Sequence, residues 1–404
     1  MKSKLYILFI FTFLTVFGSQ LVLARGSDSF RPNEINVNLA VGVDIATINA
    51  RYGTTTLEKI PGTNLYRLQL PAATTVEQFK AQVEFDLAID FAEPNYNYQS
   101  PEVRQTTHAF TDQTTHAFTD GDSPGNFFGQ QPVMNLHLKE AHNYSRGLGV
   151  RVAVIDTGID FSHPLFANRI AYPVADFVDN DGNPNDQLGG FATGHGTFVS
   201  GLIALTAPQA GIMPIRAFSN DGFATSFNIA KAIRFATDNN VQIVNMSFGL
   251  LTQDYLIKDA IEYASDQNVV LIGAAGNDNA NKIHFPAFRS NVIAVTSTGA
   301  GDVKAPFANF DSAVDVSAPG VDIYSAYPGN RWAWWSGTSF STPLVAGEAA
   351  LLLSLNPSVN PGKLSNTITS SGVNPDRFNP SYKGKLGGVR IDYLAAVNAQ
   401  IFGR

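Results

Sequence analysis

The 404-residue chain contains no cysteine. That excludes disulfide cross-links, a thiol nucleophile and a lipid-modified cysteine near the N-terminus. Basic residues are also in short supply: 27 Lys and Arg against 34 Asp and Glu give a net charge of −7. No nucleic-acid partner and no anionic-membrane partner is therefore expected. Beyond the N-terminal segment, no apolar run reads as a bilayer span. Glycine and apolar residues are plentiful, at 34 residues and 44% of the chain, as suits an α/β protein with many tight turns. The length allows a large core plus an accessory unit.

Residues 1–24 read as a secretory signal peptide. Lys2 and Lys4 precede an apolar run over 5–17, and Val22-Leu23-Ala24 offers a cleavage point. The alternative is an uncleaved anchor, for which the run is short. A secreted protein without stable membrane association after signal removal is expected, with periplasmic retention left open. Residues 25–99 read as a small α+β unit, with an alternating strand over 65–70 and a helix over 75–83. Residues 100–125 read as a flexible linker, in which 105–112 and 113–120 both spell QTTHAFTD. Two copies are too few for a solenoid, and His108 and His116 read as duplicated linker rather than as a metal site.

From 126 to 404 the pattern changes. Apolar, β-branched runs at 150–155, 212–218, 241–248, 269–274 and 292–296 alternate with helical stretches at 195–205, 225–239 and 254–267. That rhythm predicts a mainly parallel sheet with helices on both faces. In such sheets chemistry collects beyond the carboxyl ends of the strands.

Four segments carry candidate chemistry. Val152-Ala153-Val154-Ile155-Asp156-Thr157-Gly158 ends a strand on a carboxylate, which is either a turn cap or a functional acid. Gly194-His195-Gly196-Thr197 sets an imidazole at a helix start, either structural or a base. Ser336-Gly337-Thr338-Ser339-Phe340-Ser341-Thr342-Pro343 leads into an apolar helix over 344–355, so Ser339 is an N-cap or a nucleophile. Gly273-Ala274-Ala275-Gly276-Asn277 closes another strand on an asparagine, a turn residue or a side-chain donor.

Together these segments resemble the subtilisin-like serine proteases (subtilases), in that family's chain order of Asp, His, Ser. No G-x-S-x-G elbow surrounds Ser339, unlike in α/β-hydrolases, and His195 separates the chain from the sedolisins. The resemblance implies a three-layer α/β fold and a serine endopeptidase. In it Ser339 is the nucleophile, His195 the base and later acid, and Asp156 the group that orients the imidazole. Asn277 and the Ser339 backbone N–H form the oxyanion hole.

The same resemblance implies an extended substrate held between two backbone walls, Ser247-Phe248-Gly249 and Asp221-Gly222-Phe223-Ala224. Gly249, Ala274 and Gly276 would line a primary pocket open to large apolar side chains, giving broad specificity with an apolar preference. His284 and Lys282 stand in a shortened loop nearby, where specificity can differ. An esterase, or a catalytically silent binding protein on the same fold, is the alternative. The complete set of nucleophile, base, acid and oxyanion donor counts against the second, and the extended-strand cleft against the first.

The 25–99 unit, notably Phe91-Ala92-Glu93-Pro94-Asn95-Tyr96, resembles the inhibitory prodomains of subtilases. That implies a zymogen whose prodomain templates folding and serves as an intramolecular inhibitor. A parallel sheet dominated by non-local contacts folds slowly, which gives a template a purpose. Self-cleavage is expected between about Tyr96 and Gly125. The family's strong calcium site is expected to be missing, because Leu165 stands at an aspartate position and 205–209 is too short for the inserted loop. A different loop, 176–185, resembles the calcium loop of thermitase-like members. Asp176, Asp179, Asp181, Asn183 and Asn185 are candidate oxygen ligands for structural Ca²⁺, with a solvated acidic turn as the alternative. No catalytic cofactor is expected; the partners are protein or peptide substrates, and the chain reads as a monomer.

Overall fold

The computed structural model describes residues 29–100, 118–121 and 124–403. The expected signal peptide, much of the tandem repeat and most of the expected self-cleavage region lie outside the described residues.

The N-terminal unit comprises β1 (Phe30–Leu39), α1 (Ile45–Tyr52), β2 (Thr55–Lys59), β3 (Leu65–Gln69), α2 (Val76–Val83) and β4 (Ile89–Gln99). Its strands form an antiparallel sheet in the order β2-β3-β1-β4, with a small core of its own around Ile35, Val37, Leu68 and Phe79. The helix expected at 75–83 begins with a capping box: Thr75 accepts from the Gln78 N–H, and Gln78 returns the bond to the Thr75 N–H.

After β5 (Phe118–Gly121) come three short helices, α3 (Pro124–Gly129), α4 (Gln131–Met134) and α5 (Leu138–Ala141). The linker expectation needs correction here. β5 is a strand that pairs with β15 (Arg331–Trp335), which in turn pairs with β14 (Ile323–Tyr327).

The central sheet has nine strands, ordered β16-β17-β13-β12-β11-β10-β6-β8-β7. Their ranges are β6 (Arg151–Asp156), β7 (Ala175–Asp176), β8 (Gly211–Arg216), β10 (Ile243–Met246), β11 (Val270–Ala274), β12 (Ile293–Thr298), β13 (Val316–Pro319), β16 (Gly372–Val373) and β17 (Val389–Ile391). Every pairing is parallel except β16 with β17. The apolar runs 150–155, 212–218, 241–248, 269–274 and 292–296 thus become five adjacent strands. The chain leaves β6 toward β8 and then crosses to β10 on its other side. This reversal opens a crevice at the carboxyl ends of β6 and β10, where open α/β sheets place their ligands.

Helices α6 (His195–Thr206), α7 (Ser226–Asp238), α8 (Tyr255–Asp266), α9 (Thr338–Leu355), α10 (Pro361–Ser370) and α11 (Tyr393–Phe402) cover the sheet, and β9 (Phe223–Thr225) leads into α7. The predicted helix starts at 225 and 254 are caps: Thr225 accepts from the Asn228 N–H and Asp254 from the Ile257 N–H. α9 begins at Thr338 rather than at 344, and Ser339 makes no cap bond. By length and composition α9 is apolar enough to cross a membrane, yet it is buried in the core against α6, the central strands and α11. Its carboxyl group Glu348 is buried without a hydrogen-bond partner among the described residues, and burial holds it well above the ordinary carboxylate range.

Candidate active site

β6 delivers Asp156 to the crevice as its last residue, and α6 delivers His195 as its first. Both side chains are buried, and His195 Nδ1 lies 2.8 Å from Asp156 Oδ1. The flanking glycines are spatial necessities. Gly194 has φ 83°, and a Cβ on Gly196 would stand 2.2 Å from the Gly158 carbonyl oxygen. The His195 ring packs edge-on against Trp335, at 5.6 Å between centroids, and tilted against Phe340 at 5.4 Å. Phe340 directly follows Ser339, so these contacts bring the third motif to the imidazole.

A residue that the sequence reading missed ties this corner together. Asp186 is buried beneath the start of α6. Its carboxylate accepts from the Gly194 N–H (3.1 Å), the Thr197 N–H (3.1 Å), the Thr197 hydroxyl (2.7 Å) and the Thr157 hydroxyl (3.2 Å). Thr157 in turn accepts from the Gly196 N–H at 2.9 Å. The residue after Asp156 and the residues around His195 thus share one anion at a helix N-terminus. Burial pushes the Asp186 carboxyl up to about 6, while its hydrogen bonds hold it down. The sequence signal was present but faint, an acid at the end of an acid-rich loop.

Ser339 lies in the first turn of α9, where backbone N–H groups have no carbonyl four residues back. Its hydroxyl donates to the Ser247 carbonyl at 3.0 Å. Pro343 has no N–H to give the Ser339 carbonyl, and the Ser247 hydroxyl fills that vacancy at 2.8 Å. Ser247 is itself held by the Asn245 side-chain amide at 2.9 Å. The wall 247–249 and the Ser339 turn are therefore bonded in both directions. Asn277, beyond the end of β11, accepts from the Thr338 N–H (2.9 Å) and the Thr338 hydroxyl (2.8 Å) through its Oδ1. Those two bonds fix the amide plane and set its Nδ2 end away from Thr338. Asp156, His195, Ser339 and Asn277, distant in sequence, are thus gathered at the carboxyl edge of one sheet.

The second expected wall already carries a strand. Asn97, Tyr98 and Gln99 of β4 pair antiparallel with Thr225, Ala224 and Phe223 of β9, and the Ser100 N–H continues to the Gly222 carbonyl at 2.8 Å. Tyr98 is fully buried, and its hydroxyl donates to Asp254 at 2.9 Å. Glu93 accepts from the Tyr255 N–H (3.0 Å) and the Leu256 N–H (2.7 Å), capping α8 from the N-terminal unit. Asn36 donates to Ser226 at the start of α7 at 3.0 Å. The N-terminal unit thus reaches the ends of two parallel helices with polar side chains.

Phe248 packs on Phe218 at 5.2 Å behind the first wall. Gly249 and Gly276 both abut His284: a Cβ on either would lie 2.6–2.7 Å from its ring. The space expected to be open to a large apolar group is partly filled by an imidazole.

The expected calcium ligands are not brought together as a cage. The cation at this loop is Arg216, buried at the end of β8, whose Nη1 lies 2.8 Å from Asp176 Oδ2 and 2.6 Å from Asp179 Oδ2. The other Asp176 oxygen accepts from the Val178 and Asp179 N–H groups. Asp179 also accepts from Gln187, and Asp181 accepts from the Asn183 N–H in a local turn. The guanidinium holds the Asp179 carboxyl below its ordinary range. The Asp176 and Asp179 carboxylates are engaged by the guanidinium, by backbone N–H groups and by Gln187, so as arranged the five residues do not form a cage that fits the ion. Among the described residues, no group of three or more His, Cys, Asp or Glu is placed to hold a metal.

Comparison with known proteins places this geometry. The family model described as the subtilase family matches residues 147–387, and that of the fervidolysin N-terminal prodomain matches residues 19–95. Thermitase of Thermoactinomyces vulgaris is 37% identical over 235 residues, covering 56% of this chain and 82% of thermitase. Subtilisin BL of Lederbergia lenta is 36% identical over 254 residues, covering 59% of this chain and 91% of that protein. Among solved structures, fervidolysin from Fervidobacterium pennivorans, described as a keratinolytic enzyme related to subtilisin, matches with a TM-score of 0.75 at 22% identity. That match covers 91% of this chain and 61% of fervidolysin.

Proposed function

The chain belongs to the subtilase family of serine endopeptidases, and we propose that Asp156, His195 and Ser339 form its catalytic triad in a secreted enzyme made as a self-processing zymogen. The observation that carries this reading is the buried Asp156–His195 hydrogen bond of 2.8 Å, set against the residue that follows Ser339. A carboxylate can only accept, so the bond assigns the imidazole hydrogen to Nδ1 and leaves Nε2 as the base.

A serine hydroxyl is too weak an acid to attack an amide unaided. Rotation of Ser339 away from the Ser247 carbonyl lets its Oγ attack the scissile carbonyl while His195 Nε2 takes the proton. Asp156 stabilises the imidazolium, which then protonates the leaving amine. The negative oxygen of the tetrahedral intermediate is received by Asn277 Nδ2 and the Ser339 N–H, donors already fixed by the Thr338 bonds and the helix start. Water repeats the sequence on the acyl-enzyme.

Substrate adds as a strand along 222–224, the place where β4 lies in this structure. That pairing supports a prodomain of residues 25–99 acting as intramolecular inhibitor; the signal peptide of residues 1–24 rests on its basic start and apolar run alone. Residues 100–125 contain the processing region, and 126–404 form the peptidase domain. The charge of the 176–185 loop is assigned to Arg216 rather than to calcium.

The test is hydrolysis of denatured casein by the full chain and by Ser339→Ala. The wild type is expected to cleave it, and the variant to lose at least ~10⁴-fold in rate. A variant that keeps the wild-type rate overturns the reading.

A further inference from the structure

The residue between Gly249 and Gly276 has chemistry that the general reaction does not use. His284 is 3% exposed and sits at the carboxyl edge of the sheet, its N–H bonded to the Ala275 carbonyl at 3.0 Å. The next residue, Phe285, bridges Leu250, so the segment spans the carboxyl ends of β10 and β11. These are the strand ends that carry Ser247, bonded to Ser339, and Asn277, bonded to Thr338. His284 therefore lies directly beneath the place where a substrate side chain next to the scissile bond would enter.

Two features define what it offers. Its Nε2 is 2.5 Å from the Asp278 carboxylate, which can only accept, so Nε2 bears a hydrogen, and in that tautomer of the imidazole Nδ1 carries the lone pair. That Nδ1 is buried with no hydrogen-bond partner among the described residues. It is the ring atom aimed between the glycines: a Cβ would stand 2.6 Å from it on Gly249 and 2.7 Å from it on Gly276. Both residues lack a Cβ, and the imidazole takes that room. A buried acceptor held in place from behind and left unsatisfied in front is an unmet demand for a donor.

We propose that His284 is the specificity-determining residue of the primary side-chain pocket, and that it selects short side chains carrying a donor, the amides and hydroxyls of Asn, Gln, Ser and Thr, over large apolar ones. This deepens the proposed peptidase function and rests on it. It also replaces the expectation of an apolar preference. A benzyl group would meet the ring sterically, and an isobutyl group, which reaches no farther than Asn, would seal its lone pair away from water without a bond. A donor side chain of modest length satisfies it. Discrimination by a buried, unpaired polar group is expected at roughly ten- to a hundredfold in kcat/KM.

The test uses the self-processed enzyme and two chromogenic peptide anilides, identical except for Gln or Phe before the anilide. The wild type is expected to cleave the Gln peptide at least about tenfold faster in kcat/KM. His284→Gly, which removes the ring and its acceptor, is expected to invert the order while hydrolysing the Phe peptide readily. If the wild type cleaves the Phe peptide as fast or faster, the His284 assignment fails while the peptidase reading stands. Should neither peptide nor casein be cut, the peptidase reading itself fails. Where His284→Gly does not fold, cleavage-site mapping of the wild type on denatured casein decides: cuts concentrated after Phe, Leu and Tyr refute the proposal.

Discussion

Raising the pH should loosen the hold of the N-terminal unit on the peptidase domain, and Glu93 is the group that makes it do so. In the docked state this carboxyl is buried against the start of α8, beside the Asp254 carboxyl. Burial, reinforced by Asp254, pushes Glu93 up to about 9 from its ordinary 4.5. Asp254 is raised as well, by burial. Once undocked, Glu93 faces water and returns to the ordinary range. The docked state therefore holds a proton that the free state has released across the window from about 4.5 to about 9. Docking is strongest below that window and weakens through it as pH rises, by about one decade of affinity per pH unit for one proton. Between pH 6 and pH 8 the loss is about a hundredfold.

The assay is inhibition of the processed enzyme by added polypeptide 25–99, with the inhibition constant followed from pH 6 to pH 8. Glu93→Gln keeps an acceptor for the helix and a donor for Asp254 but cannot titrate, so its slope should fall below half a decade per pH unit. An inhibition constant for the wild-type segment that stays flat across the window would refute the reasoning.

Two further outcomes follow from the site. Asp186→Ala strips four donors at the start of α6 of their shared acceptor, so it should cost at least ~3 kcal/mol and lower Tm by several degrees. A Tm within one degree of wild type would show that the network contributes little. At the 176–185 loop, Arg216→Ala leaves the buried Asp176 without its cation and should destabilise by about 3–5 kcal/mol. A chelator should leave the wild-type Tm unchanged, and a large drop on chelation would return that loop to calcium.

Much of this was legible because local signals and chemistry agreed. The β-branched runs ending at Asp156, Ser247 and Asn277 became parallel strands whose carboxyl ends meet, and Thr225 and Asp254 capped the helices that they precede. What escaped the sequence depends on partners far away in the chain. Arg216 reads as an ordinary polar end to β8 until Asp176 and Asp179 close on it from 40 and 37 residues back. Asp186 acquires its role only where the turns after Asp156 and before His195 converge. β5 looked like linker because its partner β15 lies more than 200 residues onward. The start of α9 was misplaced because Pro343 reads as a helix boundary, whereas the carbonyl it leaves unpaired is taken by Ser247. His284 was noticed only as part of a short loop, since nothing local reveals that two glycines from other strands make room for its ring.

The central claim is that Ser339, activated by His195 and Asp156, is the nucleophile. Its most direct test is to react the processed enzyme with phenylmethylsulfonyl fluoride and locate the adduct by peptide mass mapping. The account predicts a single sulfonyl group on Ser339, with proteolysis lost in proportion to the labelled fraction. An adduct on Ser336 or Ser341 instead, or full proteolysis after Ser339 is labelled, would contradict it.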